Sequence, residues 1–70
     1  MNKELLIKTI NDSGLTRKSI AFKIGITPNS LQNKLTGKGE FTYTETIMLT
    51  QILRLKEAEY LDIFLPNMFA

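Results

Sequence analysis

The sequence predicts an all-α fold, a compact bundle of about five short helices. Three observations predict it. Apolar residues recur three and four apart, with no strict alternation over several residues. Capping residues and glycines divide the chain into segments of helix length. And 70 residues without a cysteine leave one packed core, and no disulfide, to hold the chain.

The elements follow in order. Asn2 caps a first helix carrying Leu5, Leu6 and Ile10, and Gly14 ends it. Thr16 caps a second helix with Ile20, Ala21 and Ile24 on one face, ended by Gly25. Thr27 followed by Pro28 starts a third. The threonine accepts from orphan amides, and proline at the first helical position loses no hydrogen bond. This helix carries Leu31 and Leu35 and stops at Gly37. After the loop Gly37–Glu40, Thr42 and Glu45 fit a capping box. The fourth helix presents Ile47, Leu49 and Ile52, with Leu53 and Leu55 near a junction. The fifth starts near Lys56, buries Leu61 and Phe64, and stops before Pro66.

Composition narrows the chemistry. There is no histidine, so the usual general base and commonest metal ligand are missing. There is no cysteine, hence no thiol nucleophile and no zinc–thiolate site. Glu57 and Glu59, two apart on a helix, do not converge on one point. We expect no enzyme and no cofactor or metal. The run Leu5-Leu6-Ile7 is too short for a signal peptide, and no apolar stretch spans a bilayer. The expectation is a soluble, cytoplasmic protein.

Charge is uneven. Met1–Gly39 carries a net +5, from seven Lys and Arg against two acids. Glu40–Ala70 carries −3, from two bases against five acids. Such a division suggests that one face meets an anion.

The informative stretch is Leu15 to Lys38. Only Ile26 separates Gly25 from the cap Thr27, so the second and third helices cross steeply. The crossing needs a small residue at the contact and glycine in the turn, which Ala21 and Gly25 supply. Ile20, Ile24, Ile26 and Leu31 pack between the helices. This is the helix-turn-helix arrangement, whose second helix enters the DNA major groove.

The same residues carry a resemblance. Leu15-Thr16, Ile20-Ala21, Ile24-Gly25-Ile26-Thr27, Ser30-Leu31 and Lys34-Leu35-Thr36-Gly37-Lys38 resemble the Cro/C1-type (XRE-like) helix-turn-helix family. Phe41, the threonine-rich start after it and the run Asp62–Asn67 are similar to small regulators of phages and mobile elements in Gram-positive bacteria. The resemblance covers roughly residues 3 to 66. It implies a lambda-repressor-like DNA-binding domain over 1–66, with 67–70 as a short tail. Many members place an apolar residue where this chain has Lys34. Leu35 then supplies the core contact, and Lys34 faces outward.

By that resemblance Pro28, Asn29 and Asn33 occupy base-reading positions, with Gln32 beside them. Asparagine and glutamine can bond an adenine edge twice, donating and accepting at once. Proline can offer only apolar contact. Thr16 and Arg17 begin a helix whose amides and dipole suit a phosphate. Lys18, Thr27, Ser30, Lys34 and Lys38 complete the expected phosphate contacts, while Lys23 is read as solvated. Glu57, Glu59 and Asp62 read as a solvated face, and Tyr43 and Tyr60 as core-edge residues. Phe22 sits between two core positions and is expected to be partly exposed. Met68 and Phe69 form an apolar tail able to pack on this chain or on a second copy.

The expected function is a sequence-specific regulator of Cro or repressor type, binding double-stranded operator DNA as a homodimer. The alternative is an antirepressor-like module that acts by binding another regulator protein.

Overall fold

A computed structural model describes residues 1–68 of the 70. Five α-helices follow one another: α1 Lys3–Asp12, α2 Arg17–Ile24, α3 Pro28–Leu35, α4 Tyr43–Ile52 and α5 Glu57–Phe64. A 3-10 turn, Pro66–Met68, follows them, and no strand occurs among the described residues. No helix of the structure is long and apolar enough to cross a membrane. Phe69, Ala70 and the side chain of Met68 lie outside the described residues, and with them the expected apolar tail.

The helix starts are set by local chemistry. The side chains of Asn2, Thr16, Thr27 and Thr42 each accept from the amide three residues on. Glu45 in turn accepts from the Thr42 amide at 2.9 Å, closing a capping box. At α5 the N-cap is Lys56, which has no acceptor. Only the return bond forms there, from the Lys56 amide to Glu59 at 3.0 Å. The α2 end is a Schellman turn, with Gly25 at φ 81°. Its amide bonds Phe22 O, and the Ile26 amide bonds Ala21 O at 3.0 Å.

The core draws on every helix. Leu6, Ile10, Ile20, Ala21, Ile24, Leu31, Leu35, Leu49, Ile63 and Phe64 are buried. Helix α2 packs on α3 and α4, and α1 packs on α3 and α5. The chain start is fastened to α5, because the Asn2 amide donates to Ile63 O at 2.6 Å.

Three core assignments differ from the sequence expectation. On α4, Leu49 is fully buried, but Ile47 and Ile52 are only half-buried, and Glu45 and Thr46 take the inner positions. Apolar residues lie around most of that helix, so their spacing alone selects no face. On α5 the buried pair is Ile63 and Phe64, with Leu61 half-buried. The Tyr60 ring packs on Phe64 at 5.2 Å between centroids. Tyr43, expected at the core edge, is 75% exposed. It is the first residue of α4, and the half-buried Phe41 before the cap packs against the core instead.

A candidate nucleic-acid interface

Helices α2 and α3 are both eight residues long and are joined by Gly25, Ile26 and Thr27. The Schellman turn uses Gly25 and Ile26 to close α2, and Thr27 opens α3 at once. Ala21 is fully buried in the core beneath this turn. Gly25 takes the left-handed conformation expected of a glycine in this turn.

Helix α3 turns Leu31 and Leu35 into the core. Pro28, Gln32 and Thr36, spaced by four, are exposed together, and Asn29 is exposed beside them. Asn33 is half-buried. All four expected base readers therefore lie off the core face, with Gln32 in the middle of the outermost stripe.

Gln32 is not free. Its Oε1 accepts from Arg17 Nη1 at 2.8 Å, across from the start of α2. The same guanidinium donates through Nη2 to Asn11 Oδ1, on α1, at 3.4 Å. One arginine thus joins three helices at the edge of the candidate surface. No sequence signal pairs Arg17 with Gln32, because fifteen residues separate them.

Lys34 departs from expectation. It does not face outward. Its ammonium donates to both Glu45 oxygens, at 2.7 and 2.8 Å, with the two side chains only 17% and 12% exposed. The Phe41 ring lies 5.9 Å beneath it. Burial pushes the Glu45 carboxyl up. The Lys34 hydrogen bond and charge and the Thr42 bonds together outweigh that, so its pKa lies below the ordinary 4.5. The pair is a tie between α3 and α4, and Lys34 is withdrawn from the phosphate contacts. The physical reason is geometric. Positions 32 and 34 lie roughly 200° apart around the helix, so one flank meets Arg17 and the other meets Glu45.

The other basic residues divide similarly. Lys3 donates to Gly39 O at 3.3 Å, and Lys8 pairs with Asp12 at 3.0 Å. Lys18, Lys23 and Lys38 are exposed, with no ion pair to any described residue. Thr16 and Thr27, both exposed, use their hydroxyls as caps for the Ser19 and Ser30 amides. Ser30 is half-buried. Glu57, Glu59 and Asp62 are exposed, as expected of a solvated face.

Phe22 is 85% exposed on α2, more than its place between core positions suggested. Among the described residues no group of acids, histidines or cysteines could hold a metal ion. One cleft is lined by Met1, Lys3, Glu40 and Phe41, away from α3. No family model, curated protein or solved structure matches this chain.

Proposed function

We propose that the protein is a sequence-specific, double-stranded DNA-binding regulator of Cro or repressor type. In this reading α2 and α3 form a helix-turn-helix, and α3 enters the major groove. The observation that carries it is the outer stripe of α3. Asn29 and Gln32, with Pro28 between them and the cap, stand exposed on a helix braced from both sides. Eight residues of helix span about 12 Å, close to the width of the major groove. A helix of that length reads few base pairs, which favours a homodimer on a palindromic operator. The amides at the Thr16 and Thr27 helix starts, with Lys18 and Lys38, then face phosphates, while the Arg17 guanidinium is held by Gln32 and Asn11. Such a regulator works where the DNA is, in the cytoplasm of a bacterial cell or of a phage-infected host, without catalysis or cofactor.

The test is selection of bound sites from a random duplex pool, followed by gel shift over a range of salt. A recovered palindrome, bound far more tightly than random duplex and weakening steeply with salt, supports the reading. Equal binding to all duplexes, or none at low salt, overturns it.

A second reading has its own observation. Phe22 at 85% and Tyr43 at 75% exposure are large apolar groups left in water. They favour a module that binds another regulator protein, in the manner of an antirepressor. Recovery of such a partner from lysate, with no shift of DNA by the protein alone, supports it.

A further inference from the structure

The Arg17–Gln32 contact reaches beyond the position of Gln32 to its chemistry. We propose that Arg17 is a positioning residue that makes Gln32 a donor-only reader of guanine. The inference rests on the DNA-binding reading above.

A free glutamine amide offers one acceptor and two donors, and can therefore match the adenine edge, which has one of each side by side. Gln32 is not in that state. Guanidinium has donors and no acceptor, so only the amide oxygen can face Arg17. The 2.8 Å bond from Nη1 to Oε1 therefore fixes which way round the amide sits. That bond takes one of the oxygen's two lone pairs and holds the oxygen toward α2, so the Nε2 hydrogens are the end of the amide turned to a ligand. Arg17 is half-buried, and its second nitrogen is held by Asn11 on α1. The guanidinium is thus steadied by a neighbour other than the residue it directs.

A donor-only group meets the four bases unequally. Guanine presents two acceptors, O6 and N7, side by side in the major groove. Adenine sets its own amino group beside N7, which meets the Gln32 donors badly. Cytosine presents a donor. Thymine has one acceptor next to a methyl group. Gln32 in this state favours guanine at one position of each half-site. Asn29, with no such tie to a described residue, keeps both its donor and its acceptor.

Site selection on the wild type and three variants tests this. The wild type is expected to select guanine at one position of each half-site. Arg17→Ala frees the Gln32 oxygen, so the guanine-over-adenine preference at that position should fall by about fivefold or more. Preferences elsewhere should stay. Gln32→Ala should lose the preference at the same position. Gln32→Glu keeps an acceptor for Arg17 but has no donor, and should reject guanine there. It repeats the test on an exposed side chain if Arg17→Ala does not fold. A purely phosphate-binding Arg17 behaves otherwise. Its loss weakens all sequences alike, flattens the salt slope by about 0.9 and leaves the selected bases unchanged. That result overturns the inference while leaving the DNA reading intact. A wild type that selects no site overturns both.

Discussion

Arg54 has a φ of 53°, the one positive value outside glycine among the described residues. It stands where Gly25 stands after α2. Its amide bonds Gln51 O at 3.3 Å, and the Leu55 amide bonds Thr50 O at 3.0 Å. The turn geometry is the same, but a Cβ is present, at a cost of roughly 1–2 kcal/mol. Arg54 is exposed and makes no side-chain bond to a described residue. Arg54→Gly should therefore stabilise the domain by about 0.5–1 kcal/mol, after the extra chain entropy of glycine is subtracted. A thermal melt should rise by a few degrees; an unchanged or lower midpoint counts against the strain. Glu45 gives a second prediction. Its folded pKa lies below the ordinary 4.5, so the stability it contributes is complete above the unfolded value. That contribution disappears as pH falls through the folded value. Glu45→Gln should cost about 1–3 kcal/mol near neutral pH, and progressively less in acid, as pH falls below 4.5 and through the folded value. Urea melts at neutral and acid pH compare the variants, and a gap that does not narrow in acid contradicts the argument.

Among the elements, α3 shows how much was legible along the chain. Its start followed from Thr27-Pro28 and its core residues from Leu31 and Leu35, because capping and helical spacing are local. Thr27→Ala should cost about 1 kcal/mol, and Leu31→Ala about 2–5 kcal/mol, enough to threaten a domain of this size. Both are read by chemical denaturation. The two ties that brace α3 were not legible. Arg17–Gln32 and Lys34–Glu45 join residues on different helices, and their meeting depends on how those helices cross. The misread of Lys34 has this cause. In a sequence it is a lysine beside a leucine, free to point to water. In the fold it points at the mouth of the α4 capping box, where Glu45 already serves the Thr42 amide. The inner face of α4 was missed for a related reason. Glu45 and Thr46 can lie inward because each has partners: Lys34 and Thr42 for the carboxylate, and Tyr43 O at 2.6 Å for the threonine hydroxyl.

Over the whole molecule, charge is sorted more finely than the +5 and −3 halves suggested. Lys3, Lys8 and Lys34 of the basic half are engaged within the protein. Lys18, Lys23 and Lys38 remain open to solvent. On the proposed DNA-binding function, the double variant Lys18→Ala, Lys38→Ala should flatten the salt dependence of duplex binding by about 0.9 for each phosphate no longer neutralised. Lys34→Ala should instead lower stability, with little change in that slope. Binding isotherms over a salt series separate the two, and the reverse pattern would return Lys34 to the interface. By itself the sequence determined the helical class, four of the five helix starts by their capping side chains, and the glycine that closes α2. Each of these depends on residues within about one turn of each other. Only the tertiary structure decided which side chains are still free to meet a ligand. Burial and pairing belong to the crossing of helices, and no local pattern records where two flanks will touch.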